Sequence, residues 1–168
     1  MTKGREIRCF DYVNHPYERV RDVLAANAPE VFRSATHAAA SRAHSVASQL
    51  RVDIGGIEVG ADIEISVGEI EDFPAGATSG PRTRIQLEWE AAKHAHLFPV
   101  MRAELAVYPL TATETQLDFA GHYEPPLGML GSAMDSIVGH RVAEVSVHRF
   151  VSEVAAYLRA TIGPASAP

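Results

Sequence analysis

The sequence has a single cysteine, Cys9, so no disulfide can form within the chain. It also lacks an apolar run of about 18 residues, the length that a membrane-spanning helix needs. The opening segment 1–6 leads into no apolar stretch of the signal-peptide type. We therefore expect a protein of the reducing cytoplasm without stable membrane insertion.

Positive charge is scarce as well, with 15 Lys and Arg against 21 Asp and Glu and a net charge of -6. No local Lys/Arg cluster offsets this balance, so the surface repels phosphates and no nucleic-acid partner is expected. The hydrophobic fraction of 46% is typical of a globular protein. A chain of 168 residues is long enough to bury one core, and we expect a single domain over 1–162 followed by a flexible tail at 163–168.

Several sequence motifs of catalysis are missing. There is no Gly-x-Ser-x-Gly, no Gly-x-Gly-x-x-Gly after a strand and no His-Glu-x-x-His. No nucleotide or other cofactor is therefore expected. His94 and His96 would share one face of a strand, but they lie beside a turn and no third ligand is evident, so no metal site is expected. Cys9 shows no local sign of thiolate activation and is interpreted as a packing residue.

The patterns that are present indicate an α+β domain. Residues 5–13 mix β-branched and aromatic types, which predicts a first strand. Pro16 and Pro29 each stand in the first turn of a predicted short helix, and the second helix is expected to end near Ala43. Alternating apolar and polar residues then predict five further strands, at 46–54, 59–67, 84–90, 101–107 and 116–123.

One polar face on every strand is typical of an antiparallel sheet with one solvated side. Gly55-Gly56 predicts a hairpin turn between the second and third strands. A break near Gly68, within the run 58–71, would make a seventh strand. From 127 to 162 the apolar residues follow a period of about 3.6 without proline, which predicts one long helix of about nine or ten turns lying across the sheet.

This order resembles the START-like (SRPBCC) superfamily, also called polyketide cyclase/dehydrase-like, which includes the birch-pollen-allergen fold. The likeness rests on Pro16 opening a helix after the first strand, on Gly55-Gly56 and on GHYEPPLG at 121–128. It covers about residues 5–162 and implies a helix-grip fold, in which a curved antiparallel sheet of six or seven strands wraps a long carboxy-terminal helix. The superfamily holds lipid and hormone carriers, aromatase/cyclases and bacterial proteins of unassigned role, so the fold does not select one function.

Inward-facing side chains of such a sheet either fill a core or line a ligand cavity. Two features favour a cavity: Ala103 and Gly121 are small at inward positions, and Trp89 and Tyr123 carry polar atoms that need partners. The predicted ligand-binding residues are Ile65, Leu87, Trp89, Met101, Ala103, Leu105, Phe119, Gly121, Tyr123, Ile137, His140, Glu144 and Val147.

A histidine and a glutamate fall within the apolar stripe of the last helix. His140 and Glu144 are four residues apart and can touch on one helix face. A carboxylate beside an imidazole permits three roles: a structural pair, a ligand contact, or proton transfer near neutral pH with Tyr123 orienting a carbonyl. All three roles stay open, and His140, Glu144 and Tyr123 are the candidate catalytic residues.

The leading hypothesis is binding of a lipid, polyketide or aromatic compound, gated by the loop 73–81 and by the junction at Pro125-Pro126. The first alternative is an aromatase/cyclase-like or dehydratase-like enzyme that uses His140 and Glu144. The second alternative is an interaction module without ligand. It includes a possible homodimer through an exposed strand edge, although polar outer strand faces argue against a large apolar patch.

Overall fold

The computed structural model describes residues 4–49, 63–91, 101–123 and 133–164. Within these residues the chain forms β1 (Arg5–Val13), α1 (Tyr17–Gln49), β2 (Ile63–Phe73), β3 (Arg82–Ala91), β4 (Met101–Pro109), β5 (Thr115–Tyr123) and α2 (Ala133–Ile162). None of the described helices is long and apolar enough to cross a membrane.

The five strands form one antiparallel sheet in the order β1-β5-β4-β3-β2. Alternation directs apolar side chains such as Leu105 and Phe119 to the buried face, where neither is exposed. The other face carries ion pairs, for example Arg84 Nη2 to Glu104 Oε2 at 2.5 Å. The predicted α+β sheet with one polar face is therefore confirmed.

The strand count differs from the prediction of six or seven, because the described residues form five. Residues 46–49, predicted to begin a strand, belong to α1, and the rest of that strand and the turn at Gly55-Gly56 lie outside the described residues. The predicted break near Gly68 is a bulge within β2, where the pairing with β3 shifts between Val67 and Ile70. Glycine fits there because an added Cβ would lie 3.1 Å from Cβ of Gln86.

Two helical segments follow β1, as predicted, and they run end to end within α1. Asn27 interrupts them with non-helical backbone angles (φ -132°, ψ 18°), and Pro29 lies in the first turn of the second segment. That segment is not short, since it continues past Ala43 to Gln49. The physical reason is that no glycine or proline stands between Ala43 and Gln49 to end the helix.

Helices α1 and α2 pack against each other and on the inner face of the sheet. Four aromatic rings meet where the layers join. Phe32 of α1 stacks on Phe150 of α2 with ring centres 6.0 Å apart, Trp89 of β3 lies 4.9 Å from Phe150, and Phe119 of β5 lies 5.7 Å from Trp89. Part of the space expected between the sheet and the final helix is therefore filled by α1.

The outer edge of β1 is capped by side chains. The Tyr12 amide donates to Asp11 Oδ1 at 2.7 Å, and the Tyr12 carbonyl accepts from the Arg159 guanidinium of α2, which also pairs with Asp11 at 3.3 Å. These bonds use the two main-chain groups that a further strand would need at Tyr12, so they oppose edge pairing there. The homodimer stays a prediction.

A buried chain of hydroxyls fastens α1 to the sheet. The Thr83 hydroxyl donates to Asp72 Oδ1 at 2.6 Å and lies 2.7 Å from the Tyr17 hydroxyl. Because the single Thr83 proton points to Asp72, Tyr17 is the donor to Thr83. Asp72 also lies 3.3 Å from Nε of Arg21. One threonine therefore links β3, β2 and α1.

Thr83→Val should lower the free energy of unfolding by about 1–3 kcal/mol, because valine keeps the shape but leaves the buried Tyr17 hydroxyl without its acceptor. Thr83→Ser keeps the hydroxyl and serves as the matched control, with a smaller loss from one missing methyl group. Urea unfolding measures both values. A valine variant as stable as the serine variant would show that the hydroxyl chain contributes nothing.

Candidate functional site

Inward-facing side chains are sealed at one end of the sheet and accessible at the other. Val107 of β4 and Leu117 of β5 are fully buried at the sealed end. Met101, at the opposite end of β4, and Trp89 of β3 are only partly buried. One line of paired residues crosses the sheet at the accessible end. We call it the accessible row, and it consists of Ile65, Trp89, Met101, Tyr123 and Arg5.

The inward-facing side chains of α2 show the same change from buried to accessible along the helix. Leu158 is fully buried and Val147 is 4% exposed, but Ala143 is only partly buried and the His140 side chain is 35% exposed. Sheet and helix therefore both become accessible toward the same end of the domain. The exposed area there belongs to inner residues that include the apolar Trp89, Met101 and Ala143.

Tyr123 and His140 join the two layers at this end. The Tyr123 hydroxyl lies 3.1 Å from His140 Nδ1, and the two rings are nearly parallel with centres 6.2 Å apart. Glu144, one turn further along α2, places Oε1 3.5 Å from His140 Nε2. The structure thus brings together the three candidate catalytic residues in one line.

The pKa of the Tyr123 hydroxyl is raised above its ordinary value, mainly because burial disfavours the phenolate. Arg5, its partner across the β1–β5 ladder, opposes this shift through its charge and a hydrogen bond, and the Glu144 carboxylate adds to the rise. Tyr123 is therefore a neutral phenol at neutral pH. The tautomer of His140 that carries its proton on Nε2 would present Nδ1 as the hydrogen-bond acceptor for the Tyr123 hydroxyl.

Trp89 finds its polar partner on α1. Its indole Nε1 donates to the Thr36 hydroxyl at 3.1 Å, so the indole N–H fastens α1 to β3. Its ring still contributes an apolar wall beside Phe119 and Phe150. Trp89 was predicted as a ligand-binding residue because its N–H needs a partner, and Thr36 now supplies that partner.

Gly121 does not mark empty space, which corrects the reasoning applied to it. A Cβ at this position would lie 2.8 Å from Cε1 of Phe119 and 3.3 Å from Sδ of Met101. The glycine makes room for the Phe119 ring, which leans along its own strand over Gly121. Ala103 is likewise buried within the core cluster. Neither small residue is an argument for a cavity.

The other predicted site residues divide between the core and the accessible end. Leu87, Leu105, Phe119 and Val147 are buried in the core cluster, and Ile65 is partly buried beside it. The side chain of Ile137, the pair His94 and His96, and the junction Pro125-Pro126 lie outside the described residues.

Cys9 is 5% exposed, and burial raises the pKa of its thiol to about 12, which fits a packing role. Across 4–49, 63–91, 101–123 and 133–164, no three His, Cys, Asp or Glu side chains group as metal ligands would. Two surface clefts, of 480 and 280 Å³, lie toward the sealed end, beside His15 and Tyr108 respectively.

Sequence reasoning missed Arg5 and Thr36. Arg5 shares the inner face with Ile7 and Cys9 by simple alternation, which was a usable signal. Its place beside Tyr123 depends on the pairing of β1 with β5, strands that are more than one hundred residues apart. Thr36 contacts Trp89 only because α1 covers β3, and no local pattern shows that.

Comparison with solved structures identifies the fold. The Zhui aromatase/cyclase from Streptomyces sp. R1128 aligns over 99% of this chain and 100% of its own, with a TM-score of 0.53 and 14% identity. A protein from Thermus thermophilus covers 94% of this chain and 99% of its own (TM-score 0.47, 14% identity). Norcoclaurine synthase from Thalictrum flavum covers 94% and 87% (TM-score 0.47, 12% identity).

The first alignment confirms the helix-grip fold implied by the START-like resemblance, and at this identity it shows the fold alone. No protein-family model matches the chain, and neither does any curated protein sequence.

Gly121→Ala should destabilise the domain by about 1–3 kcal/mol, because the added methyl group overlaps the Phe119 ring. Phe119→Leu removes the ring atom that the methyl group would meet, at a price in core packing. The two changes together should therefore cost less than the sum of the single changes. Urea unfolding of the four proteins measures this coupling, and strict additivity would contradict the contact.

The raised pKa of Tyr123 predicts a stability that declines in alkali. Below about pH 10 the phenol is neutral in the folded and unfolded chains alike, and above it the unfolded chain ionises first. The free energy of unfolding should therefore fall more steeply with pH above 10 in the wild type than in Tyr123→Phe. Denaturant unfolding between pH 8 and 11 tests this at about half-unit steps. Parallel slopes in the two proteins would contradict the assignment.

Proposed function

We propose that the protein binds a hydrophobic small molecule of lipid, polyketide or aromatic type between the sheet and α2, with its polar group against Tyr123 and His140. The observation that supports this most is the accessible row: its apolar side chains keep exposed area beside the buried Tyr123 phenol and the partly exposed His140 imidazole. A site of this kind combines an apolar wall with a few polar groups that orient the ligand.

The apolar wall supplies the affinity. Trp89, Met101 and Ile65 face inward yet are only partly covered by protein. Burying their exposed area under an apolar ligand contributes about 25 cal/mol per Å², less the entropy that binding costs. Met101 can adapt to ligand shape, because its thioether side chain is unbranched and flexible.

The polar pair supplies the orientation. Tyr123 is buried at 4% exposure, and its hydroxyl already holds His140 Nδ1. A ligand carbonyl or hydroxyl placed beside this pair exchanges hydrogen bonds with groups whose positions are set by β5 and α2. A ligand without such a group leaves the pair unchanged and gains only from apolar contact.

A second candidate function is a cyclase-like reaction on the bound molecule. The Zhui protein, which shares this fold, is an aromatase/cyclase, and the line Tyr123–His140–Glu144 supports proton transfer in this chain. The third candidate, an interaction module, has weaker support. Phe10 and Tyr12 are exposed on the outer side of β1, but the capped main chain at Tyr12 opposes edge pairing.

The first experiment is native mass spectrometry of protein purified from its own host, followed by denaturing extraction of any retained compound. We expect one hydrophobic molecule per chain. The emptied protein should then bind the uncharged probe N-phenyl-1-naphthylamine, with fluorescence enhancement as the readout. A protein that retains nothing and does not bind the probe would contradict the proposal.

Met101→Trp locates the site. The larger side chain fills the accessible end, so affinity for N-phenyl-1-naphthylamine should fall at least about tenfold, or 1.4 kcal/mol. Leu110→Trp is the matched control, because Leu110 lies just beyond the sealed end of the same strand and is 45% exposed. Equal affinities in the two variants would place the probe elsewhere.

A further inference from the structure

Three titratable side chains form a series that runs from the interior to the solvent: Tyr123, His140 and Glu144. Tyr123 is 4% exposed, the His140 side chain 35% and the Glu144 side chain 52%. A structural hydrogen bond requires two groups only. Three titratable groups in order of rising exposure, with the innermost against an apolar wall, make a path by which a proton passes between a bound molecule and water.

The hydrogen-bonding capacities give this path one direction. The Glu144 carboxylate is an acceptor, so it favours the proton of neutral His140 on Nε2. Nδ1 is then a free acceptor, 3.1 Å from the Tyr123 hydroxyl. When the Tyr123 proton moves to Nδ1, the resulting imidazolium faces the Glu144 carboxylate at 3.5 Å and is stabilised by its charge.

The charges around the Tyr123 oxygen also favour this transfer. Arg5 of β1 pairs with Tyr123 across the ladder, and its cation favours negative charge on the phenol oxygen. Among the described residues, the charged and titratable groups that act on Tyr123 are thus Arg5 from β1 and His140 and Glu144 from α2. Burial and the Glu144 carboxylate keep the phenol protonated, whereas Arg5 favours negative charge on its oxygen as one proton leaves and another arrives.

We infer that Tyr123 is a general base for enolisation of a hydrophobic ketone, with His140 accepting its proton and Glu144 as a positioning residue. The inference rests on the proposed function, since the ketone must first bind against the accessible row. Enolisable hydrophobic ketones are the substrate class, because a phenol–imidazole relay moves protons and needs neither an oxidant nor a metal.

Two proton transfers accompany the enolisation. The substrate Cα–H bond breaks, and its electron pair forms the carbon–carbon double bond of the enolate, whose oxygen takes the negative charge. The proton bonds to the Tyr123 oxygen as the hydroxyl proton of Tyr123 passes to His140 Nδ1. In the reverse step a proton from solvent returns by the same path, so the net result is exchange of the substrate proton with water.

Deuterium exchange tests the inference without requiring the natural substrate. The protein is incubated in D₂O with 1-tetralone, a bicyclic ketone, and loss of its α-proton signal is followed by proton NMR. We expect catalysed exchange in the wild type and a loss of about 10²-fold or more in Tyr123→Phe, the magnitude typical of general base catalysis. His140→Gln should lose as much, and Glu144→Gln less.

Two controls separate a relay from a merely structural role. Affinity for 1-tetralone, measured by quenching of the Trp89 fluorescence, should fall by no more than about tenfold, or 1.4 kcal/mol, in Tyr123→Phe and His140→Gln. This loss, which reflects their hydrogen bond to the carbonyl, is much smaller than the expected loss of exchange. Glu153→Gln, which breaks the ion pair with Arg149 at 2.5 Å on the same helix, should leave exchange unchanged.

The outcomes distinguish the inference from the proposed function. Binding of 1-tetralone without exchange above that of Tyr123→Phe overturns the relay and leaves the binding function standing. Binding of N-phenyl-1-naphthylamine but not of 1-tetralone overturns the assigned substrate class. Binding of neither compound overturns the proposed function and this inference with it.

Discussion

The contact of four aromatic rings holds the two helices and the sheet in one arrangement. Phe150 is the centre of this contact, since it touches Phe32, Trp89 and Phe119 from three different elements. Aromatic pairs of this kind contribute about 0.5–1.5 kcal/mol each beyond their buried area. These rings also fill the space between the helices and the middle of the sheet. The proposed site lies beside these rings, at the end of the inner face where Met101, Tyr123 and His140 are found.

Much of the fold followed from local patterns, because alternation and helical periodicity are properties of neighbouring residues. The strands containing Ile85, Leu105 and Phe119 and the long final helix were predicted from such patterns. The length of α1 was not, since Pro29 marked a start and nothing marked an end. Gly121 was misread because the Phe119 ring that covers it is a matter of side-chain direction, which alternation does not reveal.

The candidate site likewise contains some features that local patterns predict and others that they do not. His140 and Glu144 were found because four-residue spacing on a helix is a local property. The link from Tyr123 to His140 joins a strand to a helix, and the link from Arg5 to Tyr123 joins the first strand to the last. Such contacts depend on strand order and on helix placement, which no short stretch of sequence contains. The roles of the predicted site residues remain predictions, whereas the structure gives the positions of all of their side chains except that of Ile137.

The capping of β1 has a consequence for the order in which the protein becomes complete during synthesis. Residues 5–13 leave the ribosome before their ladder partner β5, and the guanidinium that closes their free edge at Tyr12 belongs to Arg159, 147 positions further along the chain. Among the described strands β1 is made before the others, but its two edges are closed only after β5 and Arg159 have been made. Until then Phe10 and Tyr12 stand beside unpaired main-chain groups, the combination that nascent-chain chaperones protect in slowly closing β structures.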